Sequence, residues 1–190
     1  MGTSRWLVPA VVVITGAALG TGLVVRELYQ RPPEAKGSPV VQSSPSQPAA
    51  NLPGDDEVRL SVDAFAHPDS QRVQALLQHY FDAINEHDYD KWRAAVTKER
   101  RNGTTRDAFV KGYATTRDGS IVVQRIESEP AADRLRVLMN LVSTQDLPNA
   151  PSDFQEGCIR WRVVYPLLWE DGELRLDQGL ETGQPQRERC

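Results

Sequence analysis

The chain has 190 residues, with 22 basic against 26 acidic side chains and a formal net charge of −4. An acidic balance of this kind argues against a nucleic-acid binder, since phosphates select basic surfaces. The two cysteines lack Cys-x-x-Cys spacing, and neither a Gly-rich phosphate loop nor a Gly-x-Ser-x-Gly elbow occurs, so dithiol redox, P-loop and α/β-hydrolase chemistry are excluded.

After a short N-terminus, residues 1–5, the run from Trp6 to Val25 carries no charge and is bracketed by Arg5 and Arg26. As a helix it would span about 30 Å, the thickness of a bilayer's hydrocarbon core. A cleaved signal peptide usually has an apolar core of only about 7–15 residues, so the length favours an uncleaved anchor contacting the lipid bilayer through residues 6–25. Residues 26–67 read as a linker: Pro32, Pro33, Pro39, Pro45, Pro48 and Pro53 punctuate Ser-, Gln- and Ala-rich sequence with too little apolar content to offset chain entropy. Within it, Val58 to Phe65 reads either as a short strand or as more linker.

The segment 68–190 is the size of one domain. Val73, Leu76, Leu77, Tyr80, Phe81 and Ile84 recur on one helical face, with Pro68 and Asp69 at the start and Asn85 to Asp88 at the end. Tyr89, Trp92, Ala95 and Val96 predict a shorter helix. Thr104 and Asp107 have capping-box spacing and open a third, carrying Phe109, Val110 and Tyr113. From Ser120 the period becomes two: Ile121 and Val123, then Leu135 to Leu141, then Ile159 to Leu167 alternate with polar neighbours. Asp171-Gly172 is a hairpin signal before a last strand with Leu174 and Leu176. The pattern is α+β: about three helices covering one face of a curved antiparallel sheet.

Tyr80-Phe81-Asp82-Ala83-Ile84-Asn85, with Tyr89 and Trp92 downstream, resembles the first-helix signature of the nuclear-transport-factor-2-like superfamily, the cone fold shared with ketosteroid isomerase and the SnoaL-like cyclases. More narrowly, Arg106 to Asp118, Ser143 to Asp146, Cys158 with Trp161, Tyr165 and Leu167, and the terminal Cys190 resemble membrane-anchored or secreted actinobacterial domains of that type. The resemblance implies a cone with a pocket at its mouth, on a scaffold that hosts isomerases, dehydratases, hydrolases and non-catalytic modules alike. It also bears on Cys158 and Cys190, which form a bridge in an oxidising compartment or remain two free thiols in a cytoplasmic one. Arg26, Arg31 and Lys36 after the apolar run would, by the positive-inside rule, hold the domain in the cytoplasm. The linker, the inferred bridge and the resemblance point instead to an extracytoplasmic domain on a single-pass anchor.

Enzymes of this scaffold place a carboxylate base and a tyrosine or acid donor around an apolar cavity. Tyr80, Tyr113 and Tyr165 are the candidate phenols, with Asp82, Asp90 or Asp146 as carboxylate, although core packing accounts equally for the aromatic side chains. His79 and His87 are eight residues apart, not the one-turn spacing of a helical metal pair, so no metal or other cofactor is expected. Lys98, Arg100 and Arg101, near Arg93 and Arg106, form the domain's basic concentration and a candidate contact for an anionic envelope polymer. The sequence expectation is a membrane-tethered, non-catalytic domain binding a partner protein, a hydrophobic small molecule or a cell-envelope component. The alternatives are a small isomerase or cyclase using an Asp and Tyr pair, and an assembly subunit that homodimerises through its sheet.

Overall fold

The computed structural model describes residues 52–129, 133–178 and 185–190. The apolar run 6–25 and the linker up to residue 51 lie outside the described residues. Among the described residues no helix is long and apolar enough to cross a membrane.

In chain order the elements are β1 (Arg59–Leu60), α1 (Val62–Phe65), α2 (Ser70–Asn85), α3 (Tyr89–Ala95), α4 (Lys98–Gly103), α5 (Arg106–Tyr113), β2 (Arg117–Glu129), β3 (Arg134–Thr144), a 3-10 turn (Leu147–Asn149), β4 (Cys158–Glu170), β5 (Glu173–Leu176) and β6 (Gln186–Arg189). The three helices read from the sequence are α2, α3 and α5. The sheet order is β1-β2-β3-β4-β5, with β6 also paired to β4. All of its pairings are antiparallel except β1 with β2, which is parallel, so the sheet is mixed rather than the purely antiparallel one expected.

The folded unit also begins before Pro68. Val58 and Ala64 are fully buried. The segment is held by contacts that no local pattern announces: Gln78 Oε1 accepts from Val58 N at 2.8 Å, and Gln74 Nε2 donates to the Val58 carbonyl at 2.7 Å. Gln74 and Gln78 are one helical turn apart, so both reach the same stretch of backbone. Gly119 provides the floor beneath it, because a Cβ there would meet the carbonyl oxygens of Pro53, Gly54 and Asp55 at 2.8 Å.

α2 buries Val73, Leu77, Tyr80, Phe81 and Ile84, as its periodicity predicts. α5 opens one residue later than expected. Thr105, not Thr104, is its N-cap and accepts from Ala108 N at 3.2 Å, while the Thr104 carbonyl takes the Tyr89 hydroxyl at 2.7 Å. Two bulges bend β2, between Gly119 and Val122 and between Val123 and Arg125. Such irregularities increase twist and curl the sheet toward the helices.

β4 spans the sheet, pairing with β3 from Cys158 to Leu168 and dividing its other edge between β6, from Ile159 to Arg162, and β5, from Leu167 to Glu170. Pro166, which has no N–H to give, falls in the gap between those two partners. The β4–β5 hairpin turns on Asp171 and Gly172, at φ 54° and 80°, the left-handed pair that a two-residue turn needs.

Cys158 and Cys190 are disulfide-bonded, with Cα atoms 5.4 Å apart. The bridge fastens the C-terminal strand β6 to the start of β4. Cys190→Ser should cost about 3–4 kcal/mol by loop-closure entropy, measured by urea unfolding of the unreduced protein. Maleimide should label neither cysteine of the native chain, and quantitative labelling of Cys190 would contradict the pairing.

Candidate pocket on the concave sheet face

Register defines the inward face. Ser143, Leu141, Met139, Val137 and Leu135 of β3 stand beside Ile159, Trp161, Val163, Tyr165 and Leu167 of β4. Ile159, Leu167 and the β3 residues are buried. Trp161, Val163 and Tyr165 are only half-buried although they point toward the helices, as is Tyr113 at the end of α5. The middle of the concave face therefore keeps some accessible apolar surface.

Around that hollow, α2 supplies Tyr80, whose ring meets Phe81 at 5.2 Å and Tyr165 at 6.1 Å, both edge-on. A second aromatic group, Tyr89, Trp92, Phe109 and Tyr113, links α3 to α5 with centroids 5.0–5.7 Å apart. Pairs of this kind add about 0.5–1.5 kcal/mol each beyond area burial, which fixes the helices that carry Tyr113.

Arg100 enters from α4. Val96 bridges to Leu176, and Thr97 N donates to the Leu176 carbonyl at 3.1 Å, so α4 starts from the edge of β5. Residues three apart share a helical face and adjacent ones diverge by about 100°. Lys98 and Arg101 accordingly face the hairpin, pairing with Asp171 at 2.8 Å and Glu170 at 3.2 Å. Arg100 turns the other way and donates to the Tyr80 hydroxyl at 2.9 Å and the Asp177 carbonyl at 3.3 Å. Its guanidinium lies 5.3 Å from the Tyr80 ring centroid and 5.8 Å from that of Trp92. The basic cluster read as a polymer contact thus does not act as one surface: two members are neutralised by the hairpin and the third lines the interior.

The carboxylate of the pocket is Asp118, which is 5% exposed. Its carboxylate accepts from the Ser143 hydroxyl, its cross-strand neighbour. Asn85, at the last turn of α2, clamps its backbone from both sides: Asp118 N donates to Asn85 Oδ1 at 2.8 Å, and Asn85 Nδ2 donates to the Asp118 carbonyl at 2.9 Å. Burial pushes the Asp118 carboxyl up to about 6, against the lowering effect of the Ser143 hydrogen bond. The Tyr80 hydroxyl and then burial hold Tyr113 well above the usual phenol value. Burial and then Tyr80 and Tyr113 do the same for Tyr165, so both remain hydrogen-bond donors at neutral pH.

Of the residues read from sequence, Tyr80, Tyr113 and Tyr165 converge. The carboxylates do not join them. Asp82 is occupied by Gln78 Nε2 at 2.8 Å, Asp90 pairs with Arg106 on the surface at 2.7 Å, and Asp146 is exposed before the 3-10 turn. The alternation counted from Ile121 and Val123 would set Asp118 on the outer face. The Gly119–Val122 bulge reverses that parity.

The outer sheet face carries Arg125, Arg136, Arg160 and Arg162, and its large exposed apolar side chain is Val164. The other exposed large apolar residues, Leu52, Val62, Phe65, Val110 and Leu147, belong to other segments. Scattered residues of this kind are ordinary surface.

The architecture is α+β, with helices laid across the concave face of a curved mixed sheet, as the resemblance implies. No family model and no curated protein matches the sequence. A solved structure from Xanthomonas campestris pv. campestris, a provisionally assigned polyketide cyclase, is similar at 15% identity and a TM-score of 0.35, over 57% of this chain and 91% of that one.

Because the Asp118 carboxyl is raised from 3.8 to about 6, the folded state binds its proton more tightly than the unfolded state does. Its contribution to stability therefore falls as pH rises through that window and is flat above it. Asp118→Asn should match the wild type near pH 4 and exceed it above pH 6.5 by up to about 3 kcal/mol. Paired urea titrations across pH 4–8 measure the difference, and a constant offset would refute the assignment.

Proposed function

We propose that this chain is a membrane-tethered, extracytoplasmic binding domain of the nuclear-transport-factor-2-like, SnoaL-like superfamily. It takes a small, largely apolar molecule into the hollow on the concave sheet face. The observation that carries this reading is the half-buried strip Tyr113, Trp161, Val163 and Tyr165, which packs against the core on the inward face yet keeps part of its surface accessible. The uncharged run 6–25 supports the tether, and the Cys158–Cys190 bridge suits an oxidising compartment. The first-helix signature, with Tyr80 against Tyr165 and Asn85 against β2, supports the superfamily.

The test uses the full chain in lipid nanodiscs, with empty nanodiscs as reference. Calorimetry should detect saturable binding of the neutral probe 2-naphthamide, and Val163→Trp, which fills the hollow, should weaken it at least about tenfold. Absence of binding, or indifference to Val163→Trp in a variant of native circular dichroism, would defeat the reading.

One observation favours a second reading, catalysis of proton transfer: a buried carboxyl near pH 6 shares the hollow with two protonated phenols. In that case Asp118, rather than Asp82, is the base, and a phenol supports the developing enolate oxygen. The chain should then speed deuterium exchange at the α-carbon of 2-tetralone by about a hundredfold or more, and Asp118→Asn should abolish it. An NMR time course no faster than buffer would remove this reading and leave the binding one intact.

A further inference from the structure

We infer that the molecule held in the hollow is a monoanion, a carboxylate on an apolar body, and that Arg100 binds its charge. The inference rests on the proposed small-molecule site and names the chemistry of its ligand.

Arg100 is set apart by its partners. Its neighbour Arg101 has Glu170, and the edge arginines Arg187 and Arg189 have Asp153 and Glu156. Arg100, with its guanidinium packed among aromatic rings, has no carboxylate within ion-pair distance among the described residues; its bonds go to a phenol and a backbone carbonyl. Asp177 could have supplied the counter-charge. Its carboxylate instead accepts from the Thr97 hydroxyl at 3.0 Å and stands 3.8 Å from Arg134, so Arg100 receives only its main-chain oxygen. A guanidinium partly withdrawn from water without a counter-ion carries a cost, and rings beneath it recover some of it. An anion entering the hollow would recover more.

Donors also outnumber acceptors at this end of the hollow. A guanidinium has five N–H donors, and the bonds to Tyr80 and Asp177 leave others without a partner among the described residues. Tyr165 makes no side-chain hydrogen bond among the described residues, and Tyr113 stays protonated. A planar carboxylate matches the guanidinium fork and accepts from a phenol at the same time. Trp161 and Val163 would meet an apolar ring or chain. Asp118, the carboxylate on the same concave face, would repel a second negative group, which limits the ligand to one.

The experiment compares 2-naphthoate with 2-naphthamide, near-isosteric probes that differ in charge, by calorimetry on the full chain in nanodiscs at pH 7.5. The wild type should prefer the acid by at least about tenfold. Arg100→Gln should abolish that preference while still binding the amide, which shows that the hollow survives. Arg100→Lys should retain part of the preference. Equal affinities in the wild type, or an undiminished preference in Arg100→Gln, would overturn the inference and leave the pocket standing. Failure of the wild type to bind either probe would overturn the pocket and the inference together.

Discussion

Asn85 is the residue on which the arrangement of this domain depends. A single side-chain amide satisfies both the N–H and the carbonyl of Asp118, while its own main-chain oxygen takes Arg117 Nη1 at 2.7 Å. The end of α2 is thereby joined to the first residues of β2, and the angle at which the helix crosses the sheet follows from that junction. Tyr80, just over one turn earlier on α2, is brought against Tyr165 and Arg100. Gln74 and Gln78, further back, are brought against the strand leading into β1. Because Asn85 is buried at 7% exposure, loss of its amide would leave two main-chain groups without water or partner, an expensive defect.

The pocket concentrates opposing demands within one small volume. A cation, a carboxyl and three phenols all lose water there. The fold meets the demands differently at each group. Asp118 is supported by a hydroxyl and becomes easier to protonate. Arg100 is supported by ring faces and by the Tyr80 hydroxyl, which accepts from it. Tyr113 and Tyr165 stay neutral because ionisation there would be poorly solvated. Such groupings, costly to maintain and unnecessary for packing alone, are common where small molecules are bound or transformed.

Much of the architecture was legible in the sequence because it depends on local pattern. The apolar stripe from Val73 to Ile84 could only be a helix lying on something apolar, and Asp171-Gly172 could only be a tight hairpin. What was hidden depends on contacts across the chain or on counting errors that a bulge introduces. The segment Val58 to Phe65 reads as either a short strand or more linker since its anchors, Gln74 and Gln78, are polar side chains on the far element. Parallel pairing of β1 cannot be seen in two residues. Arg100 was obscured by its neighbours: three basic residues within four positions read as one patch, whereas on a helix the middle one faces away from the outer two. Asp118 was obscured by parity. Both lie where the pattern of the sequence departs from simple periodicity.

The covalent link at the C-terminus has a meaning beyond chain entropy. β6 covers the open flank of β4 from Ile159 to Arg162, and an uncovered flank of that kind offers its amides and carbonyls to any passing extended peptide. Four residues of hydrogen-bonded ladder at a chain end would fray readily. Sewn down at Cys158, they act as a permanent hem, so that reduction would free the Ile159–Arg162 flank for another strand to occupy.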